Sequence, residues 1–166
     1  MKRLMLPVAL FLVAASAFAA DETAMIAKHW KATGELSIAV ADAMPADGWT
    51  SKPNPAEMSF GALMAHFVGY NNRLVGRVTD TTGPKTPEKT EDKAAMIEFM
   101  KASAAYWNKA LGGLTNAELD TMFGPEGRQM SGRETLWAAF THTAHHRGQA
   151  EVYLRVKNIA PPAYTF

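Results

Sequence analysis

The chain reads as an all-α protein, a four-helix bundle preceded by a signal peptide, and three observations predict this. Apolar residues recur at helical spacing in four separate stretches, Pro- and Gly-rich breaks divide those stretches, and no segment alternates apolar with polar residues as a strand would. A lone amphipathic helix of about 20 residues is marginal in water, so four of them bury their stripes best against one another. With 166 residues, 48% hydrophobic and 20% charged, the composition suits a single core rather than two domains.

The first twenty residues, MKRLMLPVALFLVAASAFAA, combine a basic start (Lys2, Arg3), an apolar run from Leu4 to Val13 and small residues ending Ala17-Phe18-Ala19. That is the layout of a secretory leader, and the run is shorter than the roughly 20 apolar residues of a spanning helix. The expectation is a signal peptide over residues 1–19, cut after Ala19, and a domain over residues 20–166 that is exported, periplasmic or secreted, without a permanent membrane anchor. Losing Lys2 and Arg3 takes the formal charge from +1 to −1 with histidine neutral. No basic stripe remains to neutralise a run of phosphates, which argues against a nucleic-acid partner. Cysteine is absent, so neither a disulfide nor a thiolate is available, and any metal would be held by His, Asp or Glu. Imidazole ligands would favour zinc, nickel or iron.

In chain order, the first helix is expected over Asp21–Met44, with Ile26, Trp30, Leu36 and Val40 on its stripe and Pro45 and Gly48 ending it. Residues 46–59, with Pro53 and Pro55, read as a loop. Trp49 within it and Phe166 at the end are expected to be exposed, where they could meet a second copy. Ser59 caps a second helix with the stripe Phe60, Leu63, Met64, Phe67, Leu74 and Val78, closed by the Thr-, Pro- and Gly-rich residues 79–90. Thr90 then caps a third helix, with Glu91 and Asp92 at its positive end; Met96, Phe99, Ser103, Trp107 and Leu111 form its stripe and Gly112-Gly113 stops it. After a loop through Gly124-Pro125-Glu126-Gly127, Ser131 and Glu134 have capping-box spacing and open a fourth helix running to about Lys157. Ala160-Pro161-Pro162 cannot continue it.

Five histidines are present, and three fall in the fourth helix. At about 100° per residue, His142 and His146 lie about 40° apart and one turn apart, close enough to share an ion, whereas His145 points about 80° away from their mean direction. The apolar stripe of this helix is Leu136, Ala139, Phe140, Thr143, Ala150 and Leu154, and His142, His146, Gln149 and Tyr153 occupy one flank of it. His66 and Tyr70 hold the corresponding flank of the second helix. Three imidazoles would leave an open coordination position, which a metal needs in order to activate water or a thiol. Tyr70, Asn71, Asn72, Gln149 and Tyr153 are the nearby candidates for orienting a ligand or substrate. The competing reading is that H-x-x-x-H arises by chance on a helix and that the histidines are merely hydrogen-bonded. His29 and His145 read as solvated surface residues. Arg147, inside the apolar stripe, calls for an ion pair or a snorkelling side chain, with Glu35 or Glu98 as partner.

The closing stretch HTAHHRGQAEVYLRVKNIAPP resembles the last-helix signature of the DinB-like family, H-x-x-x-H-R-G-Q followed by a Pro-containing tail. MPADGWTSKPNPAEMSFGALMAHFVGYNNRL is similar to that family's first loop and second helix, where one histidine follows S-F-x-x-L-x-x-H. The resemblance implies a four-helix bundle, often a homodimer, with a three-histidine divalent-metal site that maps onto His66, His142 and His146. Relatives include thiol-dependent transferases and a maleylpyruvate isomerase. Many carry an acidic residue one turn after the second-helix histidine, where this chain has Tyr70. Two functions follow as expectations: a metal-dependent hydrolase or thiol S-transferase acting on an unidentified small molecule, or a non-catalytic metal- or ligand-binding bundle.

Overall fold

The structure is a computed structural model that describes residues 22–164 in full and the backbone of residues 6–21. The leader expected over residues 1–19, with its cut after Ala19, and Phe166 lie outside the fully described residues. Four long helices, α1 (Leu6–Ala43), α2 (Phe60–Thr79), α3 (Lys93–Gly112) and α5 (Gly132–Val156), form the bundle. A one-turn helix, α4 (Asn116–Asp120), and an antiparallel pair of two-residue strands, β1 (Met122–Phe123) and β2 (Met130–Ser131), fill the connection before α5. Both α1 and α2 pack against α3 and α5, so α1 lies diagonally across from α2 and the connection between them crosses one end of the bundle. Among the described residues, no helix is long and apolar enough to cross a membrane.

The helix boundaries follow from local chemistry. Ser59 caps α2 by accepting from the Ala62 amide at 3.2 Å, and Ser131 with Glu134 forms the expected capping box on α5. Asp80 (φ 49°) and Asn158 (φ 60°) turn into the left-handed region that ends α2 and α5. The cap of α3 differs from expectation. It is Asp92, not Thr90, that accepts from the Ala95 amide at 3.1 Å, while the Glu91 carboxylate accepts a 2.8 Å bond from the Ser59 hydroxyl. Glu91 is thereby committed to the start of α2, and the next acid takes the cap. The T-x-x-E box of Thr115 and Glu118, which opens α4, was not anticipated.

The core runs the length of the bundle and includes Trp30, Met64, Phe67, Met96, Trp107 and Leu136. Trp49, expected at the surface, is fully buried: its ring meets Phe60 edge-on at 5.3 Å between centroids and its indole N–H donates to Met44 O at 3.3 Å. The Pro-rich loop folds under the bundle because the indole's large apolar area gains more from burial than a loop position suggests. A polar cluster sits inside the core. Asn72 accepts from the Trp107 indole N–H at 2.8 Å and donates to Ser103 Oγ at 2.9 Å and to Pro84 O at 3.0 Å, tying α2, α3 and their connection together.

Arg147 is buried, but its partner is neither Glu35 nor Glu98. Those acids pair at the surface with Lys31 and Lys101, whereas the Arg147 guanidinium lies 3.5 Å from Thr33 Oγ1 and 5.7 Å from the Tyr164 ring centroid. Burial lowers the pKa of this guanidinium; nearby Tyr164 and Glu151 act in the opposite direction.

Candidate metal centre

The site forms where α2 packs on α5, and both helices are held in register at several points. Asn71 on α2 donates to Thr143 Oγ1 on α5 at 2.6 Å, and that hydroxyl donates in turn to Ala139 O at 2.9 Å. Near the start of α5, Arg133 grips Glu22 of α1 through two bonds of 2.6 and 3.0 Å and Asp120 of α4 at 2.9 Å. Tyr153, on a later turn of α5, donates to Met58 O at 2.8 Å just ahead of α2. With both helices anchored, the apolar stripes face the core and the flanks carrying His66, His142 and His146 face each other.

These three histidines each offer a ring nitrogen, and the three atoms lie within 4.8 Å of one another. The His142 and His146 rings are 4.3 Å apart between centroids, with their Nε2 atoms at 3.1 Å, and the His66 ring stands 5.1 and 4.8 Å from them. His142 and His146 are half-buried while His66 is exposed, so the cluster is open to solvent on the α2 side.

Hydrogen bonding orients the lone pairs. Gln149 Oε1 lies 2.7 Å from His146 Nδ1, so that nitrogen carries the hydrogen and Nε2 presents its lone pair to the cluster. Two Nε2 lone pairs at 3.1 Å would repel, so either a proton or a cation must lie between His142 and His146. The other nitrogen of His142, Nδ1, is buried and has no hydrogen-bond partner among the described residues. Burial, then the neighbouring His146, His66 and His145, push the His142 pKa down to about 4. Burial also lowers that of His146, opposed by the Gln149 bond. Both rings are therefore neutral at neutral pH, the state a metal requires of an imidazole. Three imidazoles with no thiolate suit a borderline divalent cation, and the donor set could hold one.

Among the polar neighbours expected to serve the site, Gln149 and Tyr70 touch it. The Tyr70 ring lies on His142 at 4.3 Å between centroids. Asn71, Asn72 and Tyr153 instead make the interhelical bonds described above. His145 is exposed as expected, although its ring meets His146 at 4.9 Å; His29 is half-buried rather than solvated. Arg73 was not anticipated: its guanidinium carbon sits 5.1 Å above the Tyr70 ring. The i, i+4, i+7 spacing of His66, Tyr70 and Arg73 on one helical face carried that signal.

A sequence profile of the DinB superfamily matches residues 29–150, a span that contains the whole cluster. The chain belongs to the DinB superfamily. Two DinB-like proteins of known structure share the fold of this DinB chain. One, from Bacillus subtilis, is 22% identical, covers 84% of this chain and 96% of its own, and superposes with a TM-score of 0.69. The other, from Bacillus cereus ATCC 10987, is 19% identical, with 84% and 95% covered and a TM-score of 0.72. No curated protein matches this DinB chain.

Proposed function

We propose that this DinB protein is an exported metalloprotein that holds one divalent cation, zinc, nickel or iron, on His66, His142 and His146, and acts on a small molecule as a metal-dependent hydrolase or thiol S-transferase. The observation that carries this reading is the convergence of three imidazole nitrogens within 4.8 Å, two of them on rings held neutral by burial. A bound ion supplies Lewis acidity toward a water or thiol nucleophile. The protein's own groups do the rest. His146 presents its Nε2 lone pair, the neutral His142 needs only to move its ring hydrogen to Nδ1 to do the same, Gln149 holds the His146 ring in one tautomer, Tyr70 covers one side of His142, and the exposed His66 leaves an approach from solvent. Export, an unidentified small-molecule substrate and assembly as a homodimer belong to the same reading, supported by the leader pattern and the family's habits.

One observation favours a non-catalytic metal- or ligand-binding bundle instead: no carboxylate among the described residues joins the cluster, so a carboxylate general base is lacking there. Elemental analysis of untagged protein beginning at Ala20, beside the His142→Ala/His146→Ala double variant, tests the shared claim. The expected result is about one equivalent of zinc, nickel or iron in the wild type and little in the variant. No metal in either after incubation with each ion overturns it. His146→Ala then separates the two readings: a catalytic site loses turnover on any substrate the wild type converts, and a non-catalytic one shows no turnover to lose.

A further inference from the structure

Arg73 is exposed, and its guanidinium folds over Tyr70, whose ring in turn lies on His142. None of the ion pairs among the described residues involves it. α2 contains no acidic residue from Phe60 to Thr79. Both acids of α5 are already engaged, Glu134 in the cap of its own helix and Glu151 with Arg155 at 3.6 Å. Arg77, one turn beyond, lies in the last turn of α2, where it offsets the negative end of the helix dipole; Arg73 lies too far back for that role. A planar guanidinium without a carboxylate partner, beside a ligand-holding cluster, has its charge and donors free for a ligand.

We propose that Arg73 selects the substrate: it recognises a carboxylate on the small molecule whose reacting end the three histidines would hold through their cation. The stacked contacts put the guanidinium within about 10 Å of the His142 ring, so a ligand with a short chain between its two ends reaches both. Tyr70 touches both the guanidinium and His142 and offers an apolar ring along that chain.

This inference rests on the metal reading, and one titration series tells the two apart. Isothermal titration calorimetry of the zinc-loaded protein compares 3-mercaptopropionate with 2-mercaptoethanol, two short thiols that differ in the carboxylate. The wild type is expected to bind the charged thiol about tenfold more tightly. Arg73→Gln should abolish that preference while leaving zinc uptake and the melting temperature unchanged, and Arg155→Gln, remote on α5, should keep it. Equal binding of the two thiols by the wild type, binding of neither, or a preference that survives Arg73→Gln overturns the assignment to Arg73 while zinc uptake stands. Failure of the protein to take up zinc in the same calorimeter removes the metal reading and this inference with it.

Discussion

Two of the three clustered histidines are half-buried beside other imidazoles, and this makes the metal-free protein sensitive to acid. His142 stays neutral in the folded protein down to about pH 4, and His146 is shifted in the same direction, whereas both titrate near 6.5 in an unfolded chain. Between those values the unfolded chain binds protons that the folded protein refuses. The contribution of these residues to stability is thus fully present above about pH 6.5 and is lost as the pH falls toward 4. Thermal melts in chelator across that window should show a falling Tm. Glu91 and Glu134, whose pKa values are lowered by bonds to Ser59 and Ser131, add their own loss at the acid end. His142→Gln isolates the histidine part by flattening the upper portion of the curve; a variant with the wild-type profile would contradict it.

At the level of helices, the position of α2 rests on close backbone approach as well as on its cap. A Cβ added at Gly61 would fall 2.1 Å from Thr90 O, a backbone atom that cannot move aside cheaply. Gly61→Ala is expected to cost about 1–3 kcal/mol, read as a lower Tm, while the folded fraction still binds metal. An unchanged Tm would show that the chain at Thr90 yields. Much of this level was legible beforehand. The cap at Ser59, the box at Ser131 and Glu134 and the breaks at Pro45 and Gly112-Gly113 are local chemistry, and local chemistry is what a sequence displays. The cap of α3 was misplaced because Thr90 and Asp92 both suit the role, and the choice turned on Glu91 reaching Ser59 from 32 residues away. The strands β1 and β2 have two residues each and so no period to detect, and Thr115 with Glu118 opens a helix of one turn, too short to show a stripe.

For the whole molecule, the candidate site divides in the same way. His142 and His146 share a face by helix arithmetic alone, and His66 joined them through the matching flanks of two stripes together with the family signature. The stacking of Tyr70 on His142 and of Arg73 on Tyr70 depends on side-chain conformations at a helix interface, which periodicity does not specify. Trp49 was misjudged because a Pro-rich loop suggests the surface, whereas only the assembled bundle shows the hollow it fills. Since the cluster joins α2 to α5, a cation bound there should stabilise the fold. Zinc at a hundredfold excess over its Kd should add about 2.7 kcal/mol, seen as a higher Tm that chelator reverses and that the His142→Ala/His146→Ala variant lacks. A wild-type Tm indifferent to zinc would count against a site that bridges the two helices. The ligands come from opposite halves of the chain, and nothing short of the docked bundle gathers them. An extended chain threaded through a membrane would carry at most the weak pair of His142 and His146. On the proposed reading, the ion would be acquired where the chain folds rather than where it is synthesised, and the free-metal supply of the outer compartment would decide which ion that is.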